Sequence, residues 1–373
     1  MKVVILYNGI HPSPTPMSKR LGLYERGLQY AKVDARLLTT YRRAGSSIFH
    51  YIDPFIIPFT VRKQHHQALK NADIILVDGF NWFTYLWLGL WYGSKKRKLV
   101  YELNEKPGSI YTSRLLELKP IKHAGLFLNR ISMSVFDGFV VISEPLRQYI
   151  SDRMNRHSQV LKLPIIIDTK EPFEELSEEI PPHPYIIHTG ALSQQKDGII
   201  DVFKAFAFVN TQMGNNLHFY IAGSKDAPPG VKEEIDKVVD SHGLRDNIHF
   251  LGLIFGDKLK TLQKNCLFLV LPKPDNEQNR NNFPTKLGEY LALSRPVITT
   301  RVGDMALFLK DGDNALLVDH GNVEQISTAM LHLINDSQLS KQIGEGGRGL
   351  AERSFDYTIL GQQLADFLYK LKG

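Results

Sequence analysis

Apolar residues in this chain come in short runs that polar loops separate. Runs of four to six apolar residues without strict alternation are typical of parallel strands that are buried on both faces. Longer segments with apolar residues at helical spacing follow several of these runs. This order predicts an α/β protein built from parallel sheets. Strands are predicted over residues 3–7, 73–77, 99–103, 138–143, 185–189, 217–222, 248–251, 266–271 and 297–300.

The most informative stretch is residues 276–304, NEQNRNNFPTKLGEYLALSRPVITTRVGD, which follows the apolar run 266–271. Proline in the first helical turn loses no needed N–H group, so Pro284 predicts the start of a helix over residues 285–293. A loop that leads from a parallel strand into a helix is where such sheets bind ligands, and the free N–H groups of the first turn attract an anion. The stretch therefore predicts a phosphate site.

Lys286 would add a full positive charge to that site. Thr285 and Glu289 share one face of the predicted helix because they are four residues apart. A bound phosphate would then lie beside a carboxylate that accepts hydrogen bonds from a sugar hydroxyl. The alternative is a helix that only covers the sheet, with Lys286 and Glu289 in solvent.

The length of the chain predicts two domains, because 373 residues are too many for one ordinary core. Hydrophobic content of 43% and charged content of 23% are those of a globular protein. We place an N-terminal domain at residues 1–168 and a C-terminal domain at residues 169–353, which begins with an acidic, proline-containing segment. Residues 354–373 have apolar positions at helical spacing and are expected to cross back to the first domain.

The two halves of the chain differ in charge. Residues 1–165 contain 24 Lys and Arg against 11 Asp and Glu, a net +13, whereas residues 166–373 contain 21 against 28, a net −7. A basic half indicates an anionic partner such as nucleic acid, phospholipid headgroups or a phosphorylated acceptor. Because this half has no recognisable zinc finger, helix-turn-helix or aromatic RNA-binding strand motif, nucleic acid is not the expected partner.

All three tryptophans lie in the aromatic segment 80–92, FNWFTYLWLGLWY, and the basic residues 95–98, KKRK, follow directly. Aromatic residues beside a basic cluster are typical of a contact with an anionic membrane surface. The alternative is a buried helix of an α/β domain with a solvated, charged end. The sequence leaves both interpretations open.

The sequence contains few signals of cellular location. The single cysteine, Cys266, lies in an apolar run, which indicates an inert packed thiol and no disulfide framework. The opening MKVVILYNGI turns polar too soon for a signal peptide, and no run reaches the roughly 18–20 apolar residues of a membrane-spanning helix. We therefore expect a cytoplasmic protein. If the aromatic segment does contact a membrane, the protein would be attached peripherally to the inner face of that membrane.

Polar residues fill the loop after the first predicted strand. The loop 8–18, NGIHPSPTPMS, carries Asn8, His11 and Ser18, with Arg20 behind them, and it lacks the glycine-rich turn of dinucleotide-binding domains. These groups suit an acceptor substrate better than a dinucleotide. A proline-stiffened surface loop without a ligand is the alternative.

The segments FPTKLGEYLALSRPVI, GD and DGDNALLV together resemble the nucleotide-sugar-binding signature of the retaining glycosyltransferases of family 4. That family has the GT-B architecture, in which two Rossmann-like domains face each other across a cleft. The resemblance implies the same α/β fold here. It also implies a nucleoside-diphosphate sugar as substrate, with no cofactor.

The resemblance implies roles for individual residues of the stretch 276–304. Glu289 is at the position of the second of the family's two glutamates, which holds the nucleotide ribose. Asn281 replaces the first glutamate, and Pro284 replaces the usual glycine. In the family, the turn at Gly252 borders the base. The donor-binding residues predicted on these grounds are Gly190, Gly252, Leu253, Asn281, Asn282, Phe283, Thr285, Lys286 and Glu289.

A second stretch, which begins at Gly190, resembles the family's glycine-arginine-leucine loop. Lys196 matches the lysine that binds the donor diphosphate, whereas Ala191 replaces the arginine. A helix that starts near Asp197 would place free N–H groups beside Lys196 and partly compensate for the missing cation. An isolated loop lysine in solvent is the alternative.

Asn104 and Glu105 follow the predicted strand 99–103, where the family often has a histidine or an acidic residue. The resemblance implies that Glu105 orients the acceptor hydroxyl or takes up its proton. Lys196, Glu105 and Asn104 are the predicted catalytic residues. An ordinary loop carboxylate is the alternative for Glu105.

Asp311-Gly312-Asp313 looks like the metal-binding carboxylate pair of the other main glycosyltransferase architecture, but Asp-Gly is also ordinary turn chemistry. We interpret it as a turn and expect no required metal. The leading hypothesis is a metal-independent hexosyltransferase that acts on a lipid-linked or polysaccharide intermediate. The alternatives are a sugar-nucleotide-binding subunit with little catalysis and a nucleotide-sugar epimerase of related architecture.

Overall fold

The protein folds into two compact units, the first made of Met1–Ile167 with Asp356–Gly373 and the second of Asp168–Phe355. Within the described residues, each unit is built around one six-stranded sheet in which all neighbouring strands are parallel. The predicted α/β class is confirmed. The computed structural model describes residues 1–40, 53–107, 119–154, 159–224 and 226–373.

The first unit has strands β1 (Lys2–Tyr7), β2 (Asp34–Thr39), β3 (Ile74–Asp78), β4 (Lys98–Leu103), β5 (Gly138–Val141) and β6 (Gln159–Lys162). Its first helices are α1 (Pro16–Tyr30), α2 (Asp53–Asn71), α3 (Trp82–Tyr92), α4 (Lys119–Met133) and α5 (Glu144–Ser151). The strand order is β2-β1-β3-β4-β5-β6, so the order reverses direction between β1 and β3. Strands β3 and β5 are buried at every position, as their unbroken apolar runs require.

The second unit has strands β7 (Tyr185–Thr189), β8 (His218–Ala222), β9 (Ile248–Gly252), β10 (Leu269–Leu271), β11 (Val297–Thr300) and β12 (Leu316–Val318). Their order is β12-β11-β10-β7-β8-β9, the Rossmann order, with its reversal between β7 and β10. The helices are α6 (Gln194–Asp197), α7 (Ile199–Gln212), α8 (Pro229–Ser241), α9 (Gly256–Asn265), α10 (Glu277–Asn281), α11 (Thr285–Ala292), α12 (Met305–Phe308), α13 (Val323–Asn335) and α14 (Ser337–Ser354). Short 3₁₀ helices span Ser177–Glu179 and Arg245–Asn247.

The last helix, α15 (Tyr357–Lys372), belongs to the first unit and packs on α1. The two helices approach closely because glycines meet at the crossing. A Cβ on Gly27 would lie only 2.8 Å from the Cα of Gly361. Lys372 Nζ also lies 2.9 Å from Asp73 Oδ1, which joins the end of α15 to the start of β3.

The acidic segment 169–184 is attached to α9 by charge. Three of its glutamates form ion pairs with three lysines of that helix, at 2.6–2.8 Å. The pairs are Glu171–Lys260, Glu175–Lys264 and Glu179–Lys258. The segment that the sequence marked by its charge is therefore part of the second unit.

Strands 185–189 and 297–300 have the predicted bounds, but the prediction of a strand over 266–271 was too long. Helix α9 extends to Asn265, and the Cys266 thiol lies 3.1 Å from the carbonyl oxygen of Gln263 in its last turn. Burial raises the pKa of that thiol to about 12, so it stays protonated. None of the helices in the described part of the chain combines the length and the apolar character that crossing a bilayer requires.

Candidate functional site

The strand order of the second unit locates a crevice. Strands β7 and β10 are neighbours at the point where the order reverses, and the loops after such strands diverge and leave space for a ligand. The loop after β7 contains Gly190, and the loop after β10 contains Lys273. These two loops and helix α11 form the candidate site.

Glycines allow the ends of three strands to lie close together. Gly190 has a φ of +114°, and its N–H donates to the carbonyl of Ala222 over 2.8 Å. A Cβ on Gly223 would lie 1.9 Å from the carbonyl oxygen of Gly190, so a larger residue does not fit there. The N–H of Gly223 donates to the carbonyl of Gly252 over 2.8 Å. These bonds fix the edge of the sheet on which the site lies.

Asp197 lies between two lysines. Lys286 Nζ is 2.8 Å from Asp197 Oδ2, and Lys273 Nζ is 2.9 Å from Asp197 Oδ1. Burial by itself would raise the pKa of the Asp197 carboxyl, but the charges of Lys286 and Lys273 outweigh burial and hold that pKa well below its usual range. The carboxylate is therefore ionised at neutral pH and holds both ammonium groups.

Lys196 brings a third positive charge to the same place. Its N–H donates to the N-cap Ser193 Oγ over 3.1 Å, and its carbonyl accepts from Lys273 Nζ over 2.9 Å. The side chain of Lys196 is exposed. Lys196, Lys273 and Lys286 with Asp197, hereafter the lysine cluster, carry three positive charges against one negative charge, a net +2.

His188 lies near the lysine cluster without adding to its charge. It is buried at the end of β7, with Nε2 3.4 Å from the carbonyl oxygen of Ala191. Burial, and then the positive charge of Lys286, lower the pKa of His188 to about 4. The imidazole is therefore neutral at pH 7.

Two asparagines hold the loop after β10 against α6. The side-chain amides of Asn276 and Asn279 both donate to the carbonyl of Gln195, at 2.8 Å and 3.0 Å. Asn276 also caps α10 by accepting the N–H of Asn279 at 2.9 Å. Lys196 and Lys273 are therefore carried by loops that hydrogen bonds fix to each other.

Helix α11 is fixed to the end of β7 by a hydroxyl pair. Tyr290 OH lies 2.5 Å from Thr189 Oγ1, and Tyr290 is fully buried. Lys286 and Glu289 on this helix are half-buried, and so is Thr285. The helix thus carries a cation, a hydroxyl and a carboxylate at the edge of the candidate site.

Other predicted donor-binding residues have structural contacts. The ring of Phe283 packs against Phe308 at 5.5 Å and Phe355 at 5.6 Å and is 1% exposed, which leaves it no surface for a ligand. Asn282 Oδ1 accepts the N–H of Phe283 over 2.7 Å, and Asn281 is the last residue of α10. Gly252 ends β9, and Leu253 after it is 70% exposed.

The sequence interpretation placed Lys196 and Lys286 at the donor site and missed Lys273. The signal was present, because Lys273 comes two residues after Leu271, the last residue of strand β10. Charged residues directly after a parallel strand lie at the ligand-binding edge. What the sequence did not show is that β10 lies beside β7, which brings Lys273 to Asp197.

In the first unit the equivalent edge lies between β1 and β3. The side-chain amide of Asn8 donates to the carbonyl of Gly79 over 3.0 Å. His11 Nδ1 lies 2.8 Å from the hydroxyl of Ser18, which is fully buried. Asn104, after β4, donates from Nδ2 to Met17 Sδ over 3.1 Å. The loop after β1 and the end of β4 are therefore neighbours, and Asn104 contacts the residue that precedes Ser18.

Arg20, which the sequence placed with the acceptor groups, is buried inside the first unit. Its Nε donates to Glu102 Oε1 over 2.7 Å, and its two terminal nitrogens donate to the carbonyls of Pro164 and Leu163 at 2.6 Å and 2.9 Å. The side chain is 5% exposed. Tyr24 OH also donates to Glu102, over 3.0 Å. These contacts make Arg20 a structural link between α1, β4 and the chain that follows β6.

Two buried carboxyl groups that the sequence interpretation did not use lie beside Arg20. Burial raises the pKa of Glu102, although Arg20 opposes that shift. Burial, and then the charge of Glu102, raise the pKa of Asp78 to about 8. Asp78 is therefore largely protonated at neutral pH. It ends β3, next to the candidate acceptor edge.

The segment Asp311-Gly312-Asp313 has the contacts of a turn. Gly312 has a φ of +72°, and its N–H donates to the carbonyl of Ala315 over 2.9 Å. Asp311 Oδ1 accepts the N–H of Leu317 over 2.8 Å, and its Oδ2 lies 3.2 Å from Arg301. Asp311 is therefore engaged in local structure.

Residues 183–336, which include the lysine cluster and α11, match the family model of the glycosyl transferases group 1. This part of the chain is therefore similar to the group 1 glycosyltransferases. The sequence-based recognition is confirmed at that level. The matched residues cover the sheet of the second unit from before β7 to the end of α13.

Two proteins that resemble this chain in sequence are named as glycosyltransferases. The uncharacterized glycosyltransferase MJ1178 of Methanocaldococcus jannaschii is 31% identical over 130 residues, which is 35% of this chain and 35% of that protein. The capsular polysaccharide biosynthesis glycosyltransferase CapM of Staphylococcus aureus is 23% identical over 278 residues, 70% of each chain. The match to the first relative thus spans about a third of its length.

Solved structures resemble this chain over its whole length. Sucrose-phosphate synthase from Thermosynechococcus elongatus has a TM-score of 0.72 at 14% identity, over 100% of this chain and 99% of that one. HepE of Anabaena in complex with UDP-glucose has a TM-score of 0.68 at 16% identity, over 99% and 100%. At such identities the likeness shows the fold, and the predicted GT-B class is confirmed.

Proposed function

We propose that this protein is a retaining glycosyltransferase of the family 4 type, which moves a hexosyl unit from a nucleoside-diphosphate sugar to a hydroxyl group. The observation that carries the proposal is the lysine cluster at the reversal point of the second sheet. Its net +2 charge matches the doubly negative diphosphate of a sugar nucleotide. The match of residues 183–336 to the group 1 family supports the same donor class.

The lysine cluster would stabilise the departing diphosphate, and departure of this leaving group is the most difficult step of transfer. As the glycosidic bond breaks, the departing diphosphate gains negative charge. Ammonium groups that are already in position stabilise such charge without reorganising, and one group of this kind typically contributes about 10²–10³-fold in rate. Asp197 holds Lys273 and Lys286 in place, and the exposed Lys196 is available to the diphosphate.

Lys273 compensates for the missing arginine of the glycine-arginine-leucine loop. The position of that arginine is Ala191 here, and its side chain carries no charge. Lys273 reaches the same loop from β10, as its 2.9 Å bond to the carbonyl of Lys196 shows. The second cation of the donor site is thus supplied from another part of the chain.

In this proposal the nucleoside lies along α11 and the end of β9. Glu289 accepts hydrogen bonds from the ribose hydroxyls, and backbone groups of Gly252 and Leu253 contact the base. Because HepE was solved with UDP-glucose, UDP-sugars are the first donors to test. The lysine cluster supplies the positive charge that a metal ion would, so we propose transfer without metal or cofactor.

The first unit is proposed to bind the acceptor through Asn8, His11, Ser18, Asn104 and Glu105. Asn104 Oδ1 is buried and accepts no hydrogen bond from the described residues, so a hydroxyl donor of the acceptor would satisfy it. Glu105 would orient that hydroxyl or take up its proton. CapM is named for capsular polysaccharide biosynthesis, which supports a polysaccharide or lipid-linked intermediate as acceptor.

Exposed apolar residues on three helices of the first unit support a membrane-bound acceptor. Leu90 and Trp91 on α3 are 84% and 49% exposed, and Phe59 on α2 is 66% exposed. Phe127 on α4 is 63% exposed, and the basic residues 95–98 follow α3. Such residues suit an anionic lipid surface. We propose peripheral attachment to the cytoplasmic face of a membrane.

A sugar-nucleotide-binding subunit is the second candidate. Asn281 has no carboxylate, and Pro284 has no N–H group to offer the donor. Both changes would weaken contacts to the sugar while leaving the lysine cluster intact. An epimerase would need an acid or base at the sugar, and His188 is too weak a base for that role because burial lowers its pKa to about 4.

The test combines donor binding with turnover. Thermal unfolding is followed with UDP-, GDP- and ADP-sugars, because a ligand that binds the folded form raises its stability by about 2.7 kcal/mol at 100 times its Kd. Release of nucleoside diphosphate and formation of product are then measured with lipid-linked and free hydroxyl acceptors, with and without EDTA. Transfer that EDTA does not change is the expected result.

Other outcomes would reject parts of the proposal. Donor binding without turnover across all acceptors would favour the binding subunit. Conversion of the donor sugar into its epimer would favour the epimerase. If no sugar nucleotide raises the unfolding temperature, the donor-site assignment is wrong.

A further inference from the structure

Three histidines lie together on the second sheet at the end of its strands that is opposite to the lysine cluster. His183 precedes β7, His218 begins β8, and His249 is the second residue of β9. Tyr185 pairs with His218, and Tyr220 pairs with His249. Since side chains two residues apart on a strand point to the same face, the three imidazoles share one face of the sheet.

The three rings are close enough to share one ligand. His218 Nδ1 lies 2.9 Å from His249 Nε2, and the rings of His183 and His218 stack with centroids 3.5 Å apart. One nitrogen of each ring lies within 4.8 Å of the others. Zinc–nitrogen distances of about 2.0–2.1 Å place two bound nitrogens roughly 3.3 Å apart in a tetrahedral site. The nitrogens therefore lie near the spacing that a common metal ion requires, and the nearly parallel rings must rotate to direct their lone pairs at it.

The hydrogen bond between two of the rings shows that one of their nitrogens is unprotonated. The 2.9 Å contact joins two ring nitrogens, and a hydrogen bond between them needs one donor and one acceptor. At least one of the two nitrogens therefore carries no proton, which is the state that binds a metal. The side chains of His183, His218 and His249 are half-buried, so an ion from solvent can reach them.

Tyr220 holds two members of the cluster. Its hydroxyl lies 2.8 Å from His183 Nε2, and its ring stacks on His249 with centroids 4.5 Å apart. Hydrogen bonds of this kind orient the histidines of metal sites and contribute to their affinity.

We propose that His183, His218 and His249 bind one divalent transition-metal ion, with zinc as the leading candidate and water in the remaining position. Imidazole nitrogens suit zinc, copper and nickel. The ion would join the starts of β7, β8 and β9. Because the lysine cluster lies at the other end of these strands, the ion would stabilise the second unit without taking part in sugar transfer.

The test is a zinc titration of the full chain after removal of bound metal with a chelator. Free zinc is followed with a chromophoric chelator as competitor. We expect one equivalent to bind and the affinity to fall at least tenfold in His218→Gln and in His249→Gln, since loss of an outer-shell partner alone costs about 10–100-fold. His332→Gln, which changes an exposed histidine of α13, is the matched control and should bind zinc like the parent.

Thermal unfolding supplies the second readout. Zinc should raise the unfolding temperature of the parent and of His332→Gln but not that of His249→Gln. Near-equal unfolding temperatures of the metal-free proteins would show that the variants are folded. Equal zinc affinity in the parent and in the double variant of His218 and His249 would overturn the site. If removal of the metal abolished transfer activity and only zinc restored it, the ion would take part in catalysis and that part of the proposal would be wrong.

Discussion

Lys286 Nζ lies 2.8 Å from Asp197 Oδ2, although 89 residues separate the two along the chain. The contact joins α11 to the end of α6 at the edge where β7 and β10 meet. Lys286, which the sequence placed at the donor site because of its position in α11, is thus held by the carboxylate of Asp197. The pair fixes the ammonium group in place before a diphosphate arrives.

Replacing Asp197 by Asn should destabilise the fold. The change leaves Lys273 and Lys286 side by side without their counter-charge, and removal of one partner of a buried ion pair costs about 3–5 kcal/mol. Since the side chain of Lys286 is 28% exposed, we expect about 2–3 kcal/mol in urea unfolding. Asp236→Asn, which breaks an exposed pair with Lys232, is the control and should change the free energy by less than about 0.5 kcal/mol.

The same pair predicts acid sensitivity. The pKa of Asp197 is lower in the folded state than its unfolded value of about 3.9, so its contribution to stability is present above about pH 4 and is lost as the pH falls further. The urea midpoint of the parent should therefore fall more steeply below pH 4 than that of Asp197→Asn. Parallel curves for the two proteins would contradict the ion pair.

Asp78 predicts the opposite pH dependence. Its pKa is raised to about 8 in the folded state, so the folded form keeps a proton that the unfolded form has lost. Stability from this group is full below about pH 4 and is lost as the pH rises through about 8. Between pH 5 and pH 9 the parent should lose on the order of a few kcal/mol more than Asp78→Asn, measured by urea unfolding. An equal loss in both proteins would show that Asp78 is ionised throughout.

Lys196 tests the charge mechanism of transfer. Lys196→Ala should lower the rate of transfer by about 10²-fold or more, since it removes a cation that faces the departing diphosphate. Lys204→Ala changes an exposed lysine of α7 and should leave the rate unchanged. Steady-state rates at saturating donor measure both. A Lys196→Ala enzyme with the parent rate would reject the role of this cation.

Glu289 tests the position of the ribose. Glu289→Gln should weaken donor binding by at least about tenfold, because a hydrogen bond to a charged group contributes about 1.5–3 kcal/mol and about 1.4 kcal/mol is a factor of ten. A donor analogue without the two ribose hydroxyls should bind the parent and Glu289→Gln equally. Calorimetric titration measures the dissociation constants of the donor and of the analogue for both proteins. The exposed Glu324→Gln of α13 is the control and should bind both ligands like the parent. If the analogue still distinguishes the two proteins, Glu289 does not hold the ribose.

The exposed apolar residues of α3 test the membrane proposal. The double variant Leu90→Ser with Trp91→Ser should bind anionic vesicles at least tenfold more weakly than the parent in sedimentation assays, because it removes two side chains that would enter the lipid surface. Phe208→Ser, at a 52% exposed position of α7 in the second unit, is the control. Binding by the parent should also weaken as salt rises. Equal binding of all three proteins would place the contact elsewhere.

Much of the fold followed from local sequence. The run YIIHT gave strand β7 and VITT gave strand β11, because a buried parallel strand needs an unbroken apolar segment. Pro284 marked the start of α11 for a steric reason that involves only its own turn. Arg20 was harder to place, because its charge indicated an exposed acceptor contact while the spacing of α1 turned it inward to Glu102.

The sequence by itself determined buried strands such as β3, β7 and β11, the start of α11, and the resemblance of residues 276–304 to a nucleotide-sugar-binding stretch. Those properties depend on side chains within a few residues of one another. Only the tertiary structure decided that Lys273 meets Asp197, that Arg20 meets Glu102, and that His183, His218 and His249 share a face. Each of these sets is brought together by strand order. Strand order depends on packing between segments far apart in the chain, which local spacing does not record.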